Sequence, residues 1–376
     1  MNFELFNSGA RQSLTSLCEF QPGPTSVSAC GVCGHLQTAA LGDVVAYYDS
    51  TYKILLDSDE EDQIYDFVDG RPRYRTQHQI DTLIAKVTIG PNALVLDYGS
   101  AKGATMRELA RGRLDIAPHL FDVSEMYVPF WEKFARRENW ATYKLPAEWR
   151  ARFDVVTSFF SFEHIVDIRN AIGKIAWLLK DDGLFYCVVP NVFTNVADFV
   201  VVDHVNHFTA SSLRKMLTAG GLKIVEIDDR SHRGAFVIVA RKPASGSASR
   251  SDAPDVAAEL ARAGEIAAYW SVLVDRIRTF ERSRGASPAA IYGAGFYGAF
   301  IATALANVAH LRCFLDQNPY LHGRQFFGKP VLPPEQLPQD VVTLFVGLNP
   351  DHARQSIAGI AALRSRKLAY FYCDQD

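Results

Sequence analysis

The chain has 376 residues, of which 48% are hydrophobic and 22% charged, with a formal net charge of −3. That apolar content excludes a disordered chain, the missing basic surplus argues against nucleic acid as the main partner, and six cysteines are too few for a disulfide scaffold. The length predicts two or three domains, and residues 289–309 carry no formal charge over a stretch long enough to raise the question of a membrane span.

The first 35 residues read as irregular, with Pro22, Gly23 and Pro24, and they hold Cys18, Cys30 and Cys33. Cys30-Gly-Val-Cys33-Gly-His35 is a C-x-x-C knuckle followed by a histidine. Two such pairs would signal zinc, and one is half of that signal. A metal set of Cys18, Cys30, Cys33 and His35 is one reading, and a degenerate module with structural thiols is the other. Residues 43–86 are rich in Tyr, Asp and Arg, with helical spacing only at Ile80, Leu83, Ile84 and Val87.

Strand and helix signals then alternate. Residues 93–97 (ALVLD) form a short apolar strand that runs into a glycine turn and a helix over 105–111. A strand at 119–122 (HLFD), a helix at 130–137, a strand at 153–160 (FDVVTSFF) and a helix at 168–179 follow. A strand at 183–190 (GLFYCVVP), a helix at 211–220 stopped by Gly220-Gly221, and strands at 222–227 and 235–240 complete the run. This alternation predicts an α/β domain with a largely parallel sheet. Residues 243–254 (PASGSASRSDAP) read as a linker. An amphipathic helix follows, with Val256, Leu260, Ile266, Trp270, Leu273, Val274, Ile277 and Phe280 on one face. A second α/β unit opens at Pro288. The expected division is a Cys-containing module at 1–75, an α/β domain at 76–242, a linker and helix at 243–285, and a Rossmann-like α/β domain at 286–376. Cys187, Cys313 and Cys373 lie in or near apolar strands and read as core residues.

The stretch Val-Leu-Asp97-Tyr-Gly99-Ser100-Ala-Lys-Gly103 places an acid at a strand end and two glycines around a tight turn. Such a turn lets backbone approach a ligand, and the following helix points N–H groups at it. The pattern D-x-G-x-x-x-G resembles motif I of the class I S-adenosylmethionine (SAM) methyltransferases. The resemblance implies a Rossmann-like SAM domain. In it Asp97, Gly99, Ser100 and Gly103 surround the methionine moiety, Asp122 holds the ribose hydroxyls, and Ser158 and Phe159 line the cofactor at the end of the fourth strand. Glu163-His164 after that strand is common across such enzymes.

Asp203-His204-Val-Asn-His207 follows the fifth strand, in the region where acceptors reach a SAM site. An imidazole there is suited to general-base work because its ordinary pKa lies near neutrality. A solvated or backbone-bonded histidine pair is the plainer reading, and a metal site is a third. Over nearly the whole chain, in order, the sequence resembles the nucleotide-sugar C-methyltransferases. These have an N-terminal zinc module, a central SAM domain and a C-terminal Rossmann-like domain. The resemblance implies SAM and Zn²⁺ as cofactors and a nucleotide-linked keto-deoxysugar as the acceptor, seated between the SAM domain and the C-terminal domain. It makes His204 the base that removes a proton alpha to the ketone, assisted by Asp203, His164 and His207. A tyrosine before motif I belongs to the same site, with Tyr74 the better match and Tyr65 its competitor. The family's earlier C-x-x-C is absent here.

Gly293, Gly295 and Gly298 make a G-x-G-x-x-G, and Asp316 lies about 20 residues on, as a dinucleotide site expects. Taken alone this predicts NAD, whereas the resemblance implies a structural or acceptor-contacting role. Four functions therefore remain in play: sugar C-methylation, O- or N-methylation of another small metabolite, an NAD-dependent sugar oxidoreductase, and a non-catalytic SAM-binding regulator. A cytoplasmic protein, with no membrane partner and compatible with a monomer, is expected.

Overall fold

The computed structural model describes residues 2–42, 47–52, 58, 60–244 and 255–374, without the side chains of Ser50 and Thr51. Most of the expected linker, residues 245–254, lies outside the described residues. The chain divides into two compact units. One comprises Met1–Glu4, Val27–Asp198 and Asp203–Ala261; the other comprises Leu5–Ser26, Phe199–Val202 and Arg262–Asp376. Residues 1–75 are thus shared between the two units.

In the first unit, strands β1 (Ser26–Cys30) and β2 (Leu36–Thr38) pair antiparallel. An antiparallel hairpin, Ile64–Val68 with Arg71–Tyr74, leads into helix α1 (Arg75–Lys86). Strands β3 (Val95–Tyr98), β4 (Pro118–Asp122), β5 (Trp140–Thr142), β6 (Phe153–Phe159) and β7 (Leu179–Pro190) follow, with helix α2 (Ala104–Gly112) after β3 and α3 (Ile168–Leu178) after β6. A two-residue strand β8 (Asn206–His207) pairs antiparallel with β2. Helix α4 (Ala210–Ala219) and strands β9 (Lys223–Asp228) and β10 (Ala235–Arg241) close the unit.

The main sheet has the order β5-β4-β3-β6-β7-β10-β9. Strands β3 to β7 are parallel, and β10 runs antiparallel to both its neighbours. Successive residues alternate between two buried faces. Val95, Val155, Tyr186 and Val188 join a core that includes Leu83 of α1 and Leu109 of α2. Leu96, Val156, Phe185 and Cys187 join a second core with Ile172 and Ile175 of α3 and Leu217 of α4. This double burial is why the strands read as continuous apolar runs rather than alternating ones. Each fully buried large side chain contributes about 1.5–3 kcal/mol.

Some expected bounds shift. The helix expected over 130–137 is one turn, Val128–Trp131, with Pro129 at its start. The three residues of β5, too short for a periodicity signal, pair with β4 at the sheet edge. In chain order the sheet grows from β3 toward β4 and then switches to β6 on the other side. The crevice at the carboxyl ends of β3 and β6 is therefore the topological switch point, where open α/β sheets bind ligands.

In the second unit, strands β11 (Ala289–Tyr292), β12 (Leu311–Leu315), β13 (Gln325–Phe326), β14 (Lys329–Leu332), β15 (Thr343–Val346) and β16 (Ala369–Tyr372) form a sheet of order β13-β14-β12-β11-β15-β16. Its pairings are parallel except that between β13 and β14. The uncharged stretch 289–309 is thus strand, turn and helix α5 (Phe296–Ala304), which cannot cross lipid as one helix. Among the described residues, no helix is long and apolar enough to cross a membrane. The glycine fingerprint is packed tightly on one side. A Cβ on Gly298 would stand 1.9 Å from the Gly293 carbonyl, and one on Gly293 would stand 2.3 Å from that of Gly347. The Asp316 carboxylate accepts the backbone N–H of Ala294 at 2.9 Å and of Asn318 at 2.8 Å.

Candidate active site

A cavity of about 590 Å³ opens at the switch point, within the size range of small-molecule sites. Asp97, Gly99, Ser100, Gly103 and Asp122 line it, as the motif predicts. The turn is built by local bonds. Gly99 and Ser100 donate their N–H groups to the Phe121 carbonyl at 2.8 and 3.0 Å, and Ser100 Oγ donates to the Asp97 carbonyl at 2.7 Å. Gly103 begins α2 in the left-handed region, at φ 73°. Gly99 has φ 78°, and a Cβ there would lie 2.0 Å from Ser161 Oγ, so only glycine lets the ends of β3 and β6 approach. Lys102 reaches out of the turn to the carbonyls of Ser58 and Glu61.

Of the two acids of this half, Asp97 is buried and Asp122 half-buried. Asp97 Oδ1 accepts the Thr157 hydroxyl at 2.8 Å. Burial pushes Asp97 up to about 7, with the Asp122 charge adding and the Thr157 bond opposing. Asp122 accepts backbone N–H groups from Ala101 at 2.8 Å and Val123 at 2.7 Å. Burial raises it to about 6 against those bonds. A carboxylate at this strand end, facing the crevice, suits the paired hydroxyls of a ribose. These residues fit SAM. Phe159 lines the cavity, but Ser158 does not: its fully buried hydroxyl donates to the Tyr98 carbonyl at 2.8 Å. Strand alternation explains the correction, because adjacent residues of β6 point to opposite faces.

The same cavity is walled by His164 together with Tyr48 and Tyr52. These tyrosines come from the segment around the helical turn Tyr47–Thr51. His164 Nδ1 lies 2.9 Å from the Tyr48 hydroxyl and 3.1 Å from the Asp203 carbonyl, while the Tyr48 hydroxyl donates to that carbonyl at 3.0 Å. A carbonyl only accepts, so the proton of neutral His164 belongs on Nδ1 and the lone pair on Nε2. Burial, helped by the charge of His204, lowers His164 to about 4. The Tyr48 phenol is raised by burial and by the Asp203 charge.

His204 stands edge-to-face against His164, ring centroids 4.7 Å apart. Its Nδ1 bonds Asp198 Oδ1 at 2.6 Å, not its chain neighbour Asp203. Burial disfavours the charged imidazole, but the Asp198 bond and the charges of Asp198, Asp203 and Glu163 outweigh it and raise His204 to about 9. Glu163 is also buried, and among the described residues Oε2 has no hydrogen-bond partner. Burial raises Glu163 to about 7, opposed by the charges of His204 and Arg75. One donor atom each from Glu163, His164 and His204 lies within 4.8 Å of the other two.

Asn206 ties the halves of this wall together. Its Nδ2 donates to the carbonyls of Phe162 at 3.1 Å and Ile165 at 2.7 Å, either side of Glu163-His164. Its Oδ1 accepts from His35 Nε2 at 3.1 Å.

Several expected residues stand elsewhere. Tyr74 ends the hairpin opposite Ile64 and caps α1, and it does not line this cavity. Tyr65 stacks on His78 at 3.7 Å, and its hydroxyl accepts the Arg233 N–H at 2.7 Å. Beside His164 the lining tyrosines are Tyr48 and Tyr52, with Tyr47 packed against both; Tyr98, Tyr127 and Tyr143 also line the cavity. The run Tyr47-Tyr48-Asp-Ser-Thr-Tyr52 was the available sequence signal. His207 is fully buried: its Nδ1 meets Asp198 Oδ2 at 3.0 Å and its Nε2 meets Thr38 Oγ1 at 2.8 Å, so it braces the site and does not face the cavity. Asp203 presents its carbonyl to His164 and Tyr48, and its Oδ2 accepts from Tyr47 at 3.4 Å.

The set Cys18, Cys30, Cys33 and His35 does not fit a zinc ion. Among the described residues these four are not gathered as a group that could hold a metal, and the buried His35 ring gives Nε2 to Asn206. Burial lowers His35 to about 4.

Residues 71–227 match a protein family described as a methyltransferase domain. The chain is 31% identical over 88 residues to C-methyltransferase NovU of Streptomyces niveus, covering 22% of this chain and 21% of that protein. It is 33% identical over 104 residues to juvenile hormone acid O-methyltransferase of Drosophila melanogaster, covering 25% of this chain and 35% of that one. The chain therefore spans about a fifth to a third of the length of these relatives. Among solved structures it is similar to an S-adenosylmethionine-dependent methyltransferase from Mesorhizobium loti, with 12% identity, a TM-score of 0.37, and coverage of 44% of this chain and 97% of that one.

Proposed function

We propose that this chain is a SAM-dependent methyltransferase that acts on a nucleotide-linked keto-deoxysugar, adding the methyl group to the carbon beside the ketone. The observation that carries this reading is the imidazole pair His164–His204, anchored at Nδ1 on both rings: His164 lines the cavity that the glycine turn lines, and His204, not itself in the lining, packs against it. The matched methyltransferase domain and the identity to a C-methyltransferase support it.

Bound SAM supplies an electrophilic methyl carbon. Asp97, Gly99, Ser100, Gly103 and Asp122 hold the cofactor. Neutral His204, the form that prevails above about 9, would take the proton from the acceptor carbon at Nε2; the C–H electron pair would form the bond to the methyl carbon as the methyl–sulfur pair stays on the departing thioether. The neutral His164, with its lone pair on Nε2, holds an acceptor hydroxyl, and the Tyr48 and Tyr52 rings exclude water. A second reading, methylation of a hydroxyl, is favoured by the 33% identity to an O-methyltransferase and uses the same base.

His204→Asn should abolish turnover and leave SAM binding unchanged by calorimetry; normal turnover would sink the assignment of the base. Mass spectrometry of the product, with NMR location of the new methyl, separates carbon from oxygen as the acceptor.

A further inference from the structure

Asp198 belongs to no expected motif, yet it is the most committed carboxylate near the site. Its side chain is fully buried, and it ends the first segment of the unit before the chain leaves for Phe199–Val202. One oxygen meets His204 Nδ1 at 2.6 Å and the other meets His207 Nδ1 at 3.0 Å. The far nitrogen of His207 meets Thr38 Oγ1 of β2 at 2.8 Å. A continuous chain of bonds therefore runs Thr38–His207–Asp198–His204 and ends edge-on at His164 on the cavity wall.

We propose that Asp198 is the positioning residue of the base: it clamps His204 through Nδ1, fixes the tautomer that leaves Nε2 free for the acceptor's proton, and is itself held in place by His207 and Thr38. This rests on the reading of His204 as the proton acceptor. A carboxylate accepts only, so each imidazole must present an N–H to it, and the neutral form of His204 keeps its lone pair on Nε2. When His204 gains a proton, the buried negative charge beside it stabilises the imidazolium, strengthening the base without touching the acceptor. A buried carboxylate is costly unless its lone pairs are used, and two ring N–H groups use both oxygens. Burial alone would raise Asp198, but the His207 charge, with the His204 and His207 bonds, holds it down at about 2. The ionisable groups facing His204 are Asp198 on one side and Asp203, Glu163 and His164 on the others.

Two measurements test this. In the first, imidazole nitrogens of the full-length wild-type protein, labelled at histidine, are followed by NMR across pH. His204 is expected to keep its proton on Nδ1 when neutral and to titrate above the ordinary histidine range, near 9. An Nε2–H tautomer, or titration in the ordinary range, overturns the proposal whether or not any turnover is found. In the second, Asp198→Asn should lower kcat by roughly 10²–10⁴-fold with KM and SAM affinity unchanged. It should also move the ascending, acid-side limb of the pH–rate profile from near 9 down toward ordinary histidine values, while Asp198→Glu restores that limb in part. A folded Asp198→Asn protein whose pH–rate limb matches the wild type overturns the positioning role. Wild-type protein without activity on any methyl acceptor defeats the proposed function and leaves the NMR result to decide Asp198 by itself.

Discussion

Asp122 and His204 show how burial assigns different work to single residues. Asp122 is half-buried and faces the crevice, its oxygens bonded to backbone; under the proposed function its contribution would appear when ribose hydroxyls replace water. Hydrogen bonds to a charged group are worth about 1.5–3 kcal/mol. Asp122→Ala should therefore weaken SAM binding by roughly 10–100-fold in calorimetry; unchanged affinity would remove Asp122 from the cofactor site. His164 and His204 lie next to each other but are pushed in opposite directions, to about 4 and about 9. Divergent neighbours of this kind are how one site assigns acid and base roles. The motif residues Asp97, Gly99, Gly103 and Asp122 were readable in advance, because a glycine turn between strand and helix is a local feature. Tyr48 and Asp198 were not, because nothing within a few residues of either one says that it meets a histidine far along the chain.

At the scale of elements, the two-residue strand β8 has the largest effect for its size. Pairing with β2 places Asn206 under the loop that carries Glu163 and His164, and places His207 beneath Asp198. Asn206→Ala removes the donors to two carbonyls at once. Leaving a buried acceptor unsatisfied costs about 1–3 kcal/mol. The variant should melt several degrees lower and lose turnover along with stability; an unchanged melting temperature would show that the loop does not depend on Asn206. The C-x-x-C segment gains a different meaning here, since β2 and His35 support the wall of the site. A two-residue strand leaves no periodic signal, which is why the sequence presents this region only as a histidine-rich loop.

Over the whole molecule, ligands that bind only the native state raise its melting temperature, by about 2.7 kcal/mol of stability at a hundredfold excess over Kd. A thermal-shift panel of SAM, NAD and nucleotide sugars should show a rise of a few degrees with SAM and a further rise with the sugar nucleotide that serves as acceptor; a shift with NAD alone would favour the oxidoreductase reading and count against the methyltransferase. The sequence by itself determined the α/β class, the glycine turn of the cofactor site and its two acids, because these follow from local periodicity and from turn chemistry confined to neighbouring residues. It also carried enough signal to exclude a membrane helix at 289–309, where glycines interrupt the run. Only the tertiary structure decided which tyrosines face His164, that His204 is held by Asp198 and not by Asp203, and that His207 braces the site from within. The physical reason is that side-chain partners across the switch point are set by strand order and burial. Chain neighbours such as Asp203 and His204 turn to different partners, while Tyr48 and His164, or Thr38 and His207, meet only once the sheet has folded.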